Sequence, residues 1–428
     1  MSLYKPYPAY KDSGIEWIGR VPDHWDIARI KRTAQIATDR CNVIPAGSPY
    51  IGLEDVESCS GQYKPTTTTS RHSEDSTVGL FRAGDVLYGK LRPYLRKCIT
   101  GPTDGACSTE FLVLKPASVS PAWLQNWLLT HDVTQQIEAG CDGAKMPRAD
   151  WEHVGSIHIP IPEKTEQDFI LAALDRETAR IDALIAKKTE FIELLAKKRQ
   201  ALITHAVTKG LNPKAKMKDS GVEWIGDVPA HWQIRRVATL FREAIRPGDP
   251  DLPILSISIH DGITDDELAP EDRDRRVSQI EDRTKYKRVA PGDLAYNMMR
   301  AWQGAFGAVT VDGLVSPAYV VAEPADDFRT AYIEHLLRTS SAIEEMRRYS
   351  RGIADFRMRL YWDYFRDLKV CLPPEDEQNA ILDLISAETR RIDLLTVKTQ
   401  YSIDLLKERR SAFITAAVTG QIDLREVA

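Results

Sequence analysis

The sequence predicts a mixed α/β (α+β) fold that is present twice, with two long antiparallel coiled-coil helices joining the two copies. Three observations predict it. A fifteen-residue phrase, KDSGIEWIGRVPDHW (11–25), recurs with three changes as KDSGVEWIGDVPAHW (218–232). Each half contains short strand-like runs, and each half ends in a long segment with apolar residues at helical spacing. The expected architecture is an internal duplication with pseudo-two-fold symmetry.

Length and composition are those of a globular protein. The chain has 428 residues, 43% hydrophobic and 28% charged, which is enough for two or three domains. The net charge of −5 gives no global reason to expect a nucleic-acid or membrane partner. Without a run of about twenty apolar residues or a secretion signal, we expect a cytoplasmic protein with no membrane span. The six cysteines lack metal-binding spacing and are expected to be free thiols.

The repeat extends well beyond the opening phrase. Segments 81–116 and 289–324 share GDVLY or GDLAY, then an arginine, a serine, an aromatic residue, a valine and a proline at one constant offset. Blocks 161–208 and 372–419 share EQ, ETxRID and an ending in AVT. The chain therefore divides into two halves, each a globular module followed by one long segment.

Each long segment predicts one helix. Steps of three and four residues from Leu171 meet an apolar side chain at seven of ten positions, and no glycine or proline interrupts the pattern. This spacing favours a coiled-coil seam over an imperfect surface helix, and about 44 residues would make a rod of about 65 Å. The predicted seam residues are Leu171, Leu174, Ile181, Ile185, Ile192, Leu195 and Leu202 in the first copy, and Leu382, Ile385, Ile392, Ile403, Leu406 and Phe413 in the second.

The modules before the long helices combine strand-like and helical runs. Examples are the strand-like DVLYGKL (85–91) and EFLVLKP (110–116) and the helical PAWLQNWLLT (121–130). Within the repeated phrase, His24 and His231 lie beside a proline turn and are expected to be structural hydrogen-bonding residues. Four tryptophans of the same phrase are expected to pack in the cores: Trp17, Trp25, Trp224 and Trp232.

Two segments of the chain are basic, although the chain as a whole has a net negative charge. Segment 81–97 carries five cations against one acidic residue, and segment 347–366 carries six arginines among aromatic residues. This pattern is typical of surfaces that contact phosphates and base edges, although a charged loop beside core aromatics gives the same pattern. The candidate DNA-binding residues are Lys90, Arg92, Tyr94, Arg96, Lys145, Arg148, Arg300, Arg348, Arg351, Arg357 and Arg359.

The sequence lacks the residues that known catalytic motifs need for their chemistry. GDVLYGKL (84–91) matches G-x-x-x-x-G-K, but Leu91 occupies the position where a phosphate-binding loop needs a hydroxyl, and the second copy reads GDLAYNMM. The sequence contains no GxGxxG, GxSxG, HExxH or amino-methyltransferase signature. We therefore expect no catalytic residue, no metal site and no cofactor in this chain. Two alternatives remain: a coiled-coil scaffold with two protein-binding modules, and a stand-alone methyltransferase.

Four features of the sequence together resemble the specificity subunits of type I restriction–modification systems. They are the repeated phrase, the strand ending in IPIP or VCLPP, the EQ dipeptide and the long helix that ends in AVT. The resemblance covers nearly the whole chain in both halves. The two modules share little sequence between these framing motifs, which fits two different targets but does not identify either.

The resemblance implies that this chain binds double-stranded DNA and directs partner subunits. Each module would be a target-recognition domain for one half of a bipartite site, and the helices would set the spacer and hold two methylation subunits. Restriction subunits would complete the complex, and S-adenosylmethionine, ATP and Mg would be used by the partners. The implied divisions are target-recognition domains at 1–160 and 211–371, a central helix at 161–210 and a C-terminal helix at 372–428.

Overall fold

A computed structural model describes residues 4–44, 47–66, 77–141, 146–258, 262–264, 282–352 and 358–425. The chain divides into two compact units. Unit 1 is Met1–Thr189 with Gln400–Ala428, and unit 2 is Glu190–Thr399. Each unit therefore contains one module, one part of the first long helix and one part of the second.

Unit 1 begins with small strands and continues with helices that lead into the first long helix. Its strands are β1 Tyr10–Asp12, β2 Arg20–Pro22, β3 Asp26–Arg29, β4 Ala34–Ile36, β5 Arg40–Cys41, β6 Tyr50–Ile51, β7 Val78–Phe81, β8 Val86–Gly89, β9 Cys98–Thr100, β10 Gly105–Cys107, β11 Phe111–Pro116 and β12 His158–Ile161. Its helices are α1 Ile30–Thr33, α2 Pro121–Leu128, α3 His131–Ala139, α4 Trp151–Ser156 and the start of α5 Lys164–Lys209.

Unit 2 repeats this order. Its strands are β13 Met217–Asp219, β14 Asp227–Pro229, β15 Gln233–Arg236, β16 Phe241–Glu243, β17 Ser256–Ser258, β18 Gly262–Thr264, β19 Lys287–Val289, β20 Leu294–Asn297, β21 Phe306–Ala308, β22 Gly313–Val315, β23 Tyr319–Pro324 and β24 Lys369–Leu372. Its helices are α6 Val237–Leu240, α7 Thr330–Leu337, α8 Ser340–Tyr349, α9 Trp362–Phe365 and the start of α10 Glu375–Val418.

The sheets correspond between the units. In unit 1 an antiparallel sheet has the order β4-β11-β8-β9, and in unit 2 the sheet β16-β23-β20-β21 has the same arrangement. The strand before each long helix pairs antiparallel with a strand near the repeated phrase, β12 with β3 and β24 with β15. A second sheet in unit 1, β5-β7-β10-β6, contains the parallel pair β10 and β6.

One glycine turn is needed at the same place in each module, directly before the central strand of the main sheet. Gly84 and Gly292 have φ of 88° and 95°, a region that glycine enters without a Cβ penalty. The aspartate that follows each glycine closes the turn, because its carboxylate accepts a backbone N–H at 2.8 Å, from Arg82 in unit 1 and from Ala290 in unit 2.

Both cores are built around aromatic side chains from the module and apolar side chains from the ends of the long helices. In unit 1, Leu171 and Leu174 near the start of α5 and Ile414 near the end of α10 share one core with Trp25 and Trp123. In unit 2 the other two helix ends do the same: Ala206, Val207, Ile381 and Ile385 pack with Trp232 and Tyr332. The module and the helix ends therefore bury their apolar surface together.

The long helices run antiparallel within each unit. In unit 1 the start of α5 and the end of α10 share the core, and farther along α5 Asp182 pairs with Arg410. In unit 2 the end of α5 and the start of α10 share the core, and Arg199 pairs with Asp393. Packing of the two helices against each other is the expected result of seams that run along both.

Four of the predicted seam positions are buried between the cores. Ile181 and Leu195 of α5 are 4% and 6% exposed, and Ile392 and Ile403 of α10 are each 4% exposed. The remaining predicted positions Ile185, Ile192, Leu202, Leu382, Leu406 and Phe413 are intermediate in exposure. Both helices lie inside the segments predicted for them, 161–210 and 372–428.

Candidate nucleic-acid interface

The repeated phrase fixes each module to the helix that follows it. His24 Nε2 lies 2.8 Å from Glu166 Oε2, and His231 Nε2 lies 2.7 Å from Glu377 Oε2. The two glutamates occupy the same position in EQ, so the repeated phrase of each half is bonded to the start of its long helix. The structural role expected for both histidines is confirmed. Trp25 and Trp232 are fully buried, and Trp17 and Trp224 pack against the cores, as expected.

The glutamine of EQ makes a second tie, for which the sequence alone assigned no role. Gln167 Nε2 donates to the Pro162 carbonyl at 2.9 Å, and its Oε1 accepts from the Ser120 backbone N–H at 3.1 Å. In unit 2, Gln378 donates to Pro373 at 2.9 Å and accepts from the Arg329 backbone N–H at 2.8 Å. Each glutamine thus joins the start of its long helix to the loop before α2 or α7.

The candidate residues of module 1 follow the central strand β8, where the backbone pairs with the segment that leads into α4. Lys90 N donates to Glu110 O at 2.9 Å, and Ala149 N donates to Lys90 O at 2.9 Å. Arg92 N donates to Pro147 O at 2.9 Å. This pairing brings Arg148 beside the Lys90–Arg92 segment, although Arg148 follows Arg92 by 56 positions in the sequence.

Arg92 and Arg96 have left-handed backbone conformations on either side of a 3₁₀ turn at Pro93–Leu95. Their φ values are 52° and 46°. For residues with a Cβ, this conformation costs about 1–2 kcal/mol. Strained backbone of this kind persists where the surroundings determine it, and it clusters at functional sites.

Three candidate side chains of module 1 are available to a ligand. Arg92 and Tyr94 are exposed, Tyr94 by 48%, and Lys90 is partly exposed. Within the described part of the chain, neither the Lys90 nor the Arg92 side chain forms an ion pair or a hydrogen bond. Lys145 lies outside the described residues.

Two other candidates of module 1 have partners within the module. Arg96 Nη1 donates to the Leu129 carbonyl at 3.4 Å, beyond the end of α2. Arg148 Nη2 donates to Glu110 Oε1 at 2.9 Å, and the guanidinium is largely exposed. Their charges are therefore partly satisfied before any ligand binds.

Module 2 keeps part of this backbone arrangement after its central strand β20. Leu360 N donates to Met298 O at 2.8 Å, which places the segment before α9 beside the turn that contains Arg300. Arg351 and Arg359 exchange two backbone hydrogen bonds, each 2.9 Å long. These three arginines are exposed, and among the residues that the structure describes they have no carboxylate partner.

Aromatic rings support two guanidinium groups of module 2. Arg351 lies over the Tyr364 ring at 4.8 Å from its centroid, and Arg347 lies over the Trp302 ring at 5.5 Å. Such stacking restricts the plane of a guanidinium group and is favourable by itself. Trp302 occupies the position of Tyr94 in the repeat, a correspondence that the constant offset between the modules could have revealed.

The remaining candidates of module 2 are placed differently. Arg348 pairs with Glu345 at 3.1 Å and with Glu223 of the repeated phrase at 3.4 Å, so its charge faces the framing motif. Arg357 lies outside the described residues. The available surface of module 2 is therefore formed by Arg300, Arg351 and Arg359.

Two of the strongly shifted pKa values belong to thiols in the cores. Burial raises the pKa of the Cys107 and Cys371 thiols to about 12, so both are protonated at neutral pH. In the described ranges, no cluster of three or more His, Cys, Asp or Glu side chains could hold a metal ion. None of the described helices combines the length and apolar character needed to cross a membrane.

Comparison with known proteins gives one curated relative and several structural neighbours. No protein-family model matches the sequence. The specificity subunit of the type I restriction enzyme EcoDI from Escherichia coli is 23% identical over 183 residues, which is 42% of this chain and 41% of that protein. The match thus spans about two fifths of the relative's length.

The solved structures match over far more of the chain. A chain from work on complex assembly and conformational transition of the type I R-M system has a TM-score of 0.61 at 18% identity, covering 94% of this chain and 99% of the other. The HsdS subunit from Thermoanaerobacter tengcongensis has a TM-score of 0.52 at 18% identity, covering 94% of this chain and 98% of its own. The fold is that of a type I specificity subunit.

These matches confirm the resemblance that the framing motifs indicated. The mixed α/β class with long helices, predicted from repeat and periodicity, is confirmed as well and corresponds to the type I specificity-subunit fold. The individual DNA-binding residues, the seam assignments and the division at 160, 210 and 371 stay predictions.

Proposed function

We propose that this chain is the DNA-recognition subunit of a type I restriction–modification complex. The observation that carries the proposal is the exposed arginine surface at the same place in both modules. Arg92 in module 1 and Arg300 in module 2 follow equivalent strands, are exposed and have no carboxylate partner among the described residues. Unpaired guanidinium groups on a rigid frame are suited to phosphates and base edges.

Each module reads one half of a bipartite DNA site in this proposal. The parts that hold a module in place are repeated almost unchanged, as in His24–Glu166 and His231–Glu377. The surface residues beside the arginines differ between the modules, with Tyr94 at the position of Trp302 and Glu110 at the position of Ala318. A constant frame with a variable surface is the pattern expected of two readers with different targets.

The long helices set the spacer and bind two methylation subunits, one for each half. Outside the seam, both helices expose large apolar side chains, which are commonly covered by partners. These residues are Leu184, Phe191 and Leu194 on α5, and Leu394, Val397, Tyr401 and Leu405 on α10. The helices also carry exposed cations such as Lys187, Lys197 and Lys407, which would set the orientation of a partner.

The chain is not an enzyme in this proposal. Methyl transfer with S-adenosylmethionine and ATP- and Mg-dependent cleavage are assigned to methylation and restriction subunits. The protonated core thiols and the histidines engaged by Glu166 and Glu377 support this assignment, because these groups already have structural roles.

The direct test is binding of pooled duplex DNA by the chain co-purified with its methylation subunits, measured over a series of salt concentrations. For a protein that binds DNA, the logarithm of the binding constant falls linearly with the logarithm of the salt concentration. R300A should weaken binding, whereas R391A, which removes an exposed helix arginine beside Glu388, should leave it unchanged. Absence of salt-dependent DNA binding, together with retained protein partners, would favour the coiled-coil scaffold with two protein-binding modules.

A further inference from the structure

The two modules share one backbone frame around an equivalent arginine. Arg148 and Arg359 each precede by three residues the tryptophan that begins α4 or α9. In module 1 the frame consists of Lys90 N donating to Glu110 O at 2.9 Å, and in module 2 of Met298 N donating to Ala318 O at 3.4 Å. The corresponding two strands therefore lie beside the segment that carries each arginine.

The side chain opposite this arginine differs between the modules. Glu110 immediately precedes β11 and accepts a hydrogen bond from Arg148 at 2.9 Å. The corresponding residue before β23 is Ala318, which has no carboxylate. Within the described residues, Arg359 accordingly has no ion pair, and its backbone is instead paired with that of Arg351.

The pairing of Arg351 with Arg359 places two like charges side by side. Residues that exchange both hydrogen bonds of an antiparallel bridge have Cα atoms about 5.5 Å apart, and their side chains lie on the same face. Like charges directly opposite each other destabilise such a pair. Arg351 is also held over the Tyr364 ring, so the pair cannot relax freely. A ligand that offers only acceptors would remove the repulsion.

Guanine offers such an edge in the major groove, because N7 and O6 are both acceptors and fit the fork of a guanidinium group. Phosphates are acceptors too, but the phosphate backbone is the same in both half-sites. A phosphate contact would be useful in both modules, whereas here the arginine is paired with a carboxylate in module 1 and, among the described residues, has no carboxylate partner in module 2. A contact found in one module alone fits reading of sequence.

We propose that Arg359, supported by Arg351 and Tyr364, reads a guanine in the half-site of module 2, while Glu110 removes Arg148 from this role in module 1. The inference rests on the proposed function and names the base class that one module recognises. Ala318 is the residue that permits it, since a carboxylate at this position would capture Arg359.

The test uses the complex with methylation subunits. Mapping of adenine methylation in cells first gives the bipartite site, and each guanine in a synthetic duplex is then replaced by 7-deazaguanine, which lacks the N7 acceptor. One such replacement should weaken wild-type binding about tenfold or more. R359A and A318E should bind the natural site less tightly by a similar factor and become insensitive to this replacement. E110A, the control in module 1, should keep the full sensitivity of the wild type.

Several outcomes would overturn the inference while the proposed function stands. The first is that the half-site whose recognition R359A weakens contains no guanine. The second is that R359A and A318E stay as sensitive to 7-deazaguanine as the wild type. The third is that R359A weakens binding equally on all DNA and lowers the salt slope by about one, which marks a phosphate contact. A318E retains the Arg359 side chain. A melting curve of A318E that matches the wild type would show that any loss of binding comes from lost base recognition and not from unfolding. Failure of the wild-type complex to bind any duplex would overturn the proposed function and this inference together.

Discussion

Arg410 Nε donates to Asp182 Oδ1 at 3.0 Å in unit 1, and the residues that correspond to them in the repeat, Arg199 and Asp393, form the equivalent ion pair at 2.9 Å in unit 2. The pairs differ in their surroundings. Arg410 also donates to the Ser60 carbonyl at 3.1 Å, and Gln62 donates to Asp182 at 3.0 Å, so a loop of module 1 is bonded to the helix pair.

This difference predicts unequal effects of the same substitution. D182A should lower the free energy of unfolding by about 1–3 kcal/mol, because Arg410 is only 13% exposed and would lose its charged partner. D393A should change it by about 0.5 kcal/mol or less, since both partners there are 43–52% exposed. Urea denaturation followed by circular dichroism compares the two. Equal losses would show that the loop of module 1 adds nothing to the ion pair.

Glu166, in the first EQ dipeptide, should contribute more to the free energy of unfolding than an exposed glutamate of the same helix. Glu166 is 8% exposed and accepts from the buried Tyr7 hydroxyl at 2.9 Å as well as bonding His24. E166A should cost about 1–3 kcal/mol, since it leaves a buried donor without its acceptor. E193A, at an exposed position of α5, is the control and should be nearly neutral. A thermal melt that shifts equally in both variants would contradict the role assigned to Glu166.

Arg92 should show opposite effects on stability and on DNA binding. R92G removes an exposed guanidinium group and also relieves a backbone with φ of 52°, so stability should rise by up to about 1 kcal/mol while DNA binding weakens. R92A should weaken binding equally without the gain in stability. R96A is the contrast, because Arg96 donates to Leu129 and its loss should lower stability. Gel shifts measure DNA binding and melting curves measure stability on the same preparations. Unchanged DNA binding in R92G would show that Arg92 does not contact DNA.

Acid should destabilise unit 2 through His335. Burial, and then the nearby cations Arg338 and Arg199, lower the pKa of His335 from 6.5 to about 4. The unfolded chain therefore takes up a proton between about pH 6.5 and pH 4 that the folded chain refuses, so stability is complete above this range and falls within it. The loss should reach about 2 kcal/mol at pH 5. H335Q should show less of this decline in urea midpoints measured at pH 7.5 and pH 5; an identical decline would assign the acid sensitivity elsewhere.

Insertions into α5 should separate partner binding from spacing. Four residues after Lys188 add nearly one turn and about 6 Å, and a seam absorbs such an insertion by local unwinding. Because DNA rises about 3.4 Å per base pair, the preferred gap between half-sites should grow by one or two base pairs. Two inserted residues rotate the following stripe by about 200° and should abolish reading of the joint site. Methylation maps of both variants test this; an unchanged gap after four residues would mean that the helix does not measure the DNA.

The sequence was most informative where structure depends on local pattern. The three-and-four spacing predicts α5 and α10 to within a few residues, because a helix repeats every 3.6 residues whatever it packs against. Strands such as EFLVLKP, observed as β11 Phe111–Pro116, were predicted from a short run of apolar residues, which is also a local signal. The repeat added a second signal, since equivalent positions such as Glu166 and Glu377 imply equivalent roles.

Sequence by itself therefore determined the internal repeat, the two long helices and the two framing motifs. Tertiary structure alone decided which arginines remain available. Arg148 is paired with Glu110 and Arg96 donates to Leu129, whereas Arg359 has Ala318 at the position equivalent to Glu110 and is bonded through its backbone to a second arginine. These partners are separated along the chain by stretches that carry no periodic signal. Whether a charge is paired depends on distances in space, and these exist only once the strands and turns have brought such residues together.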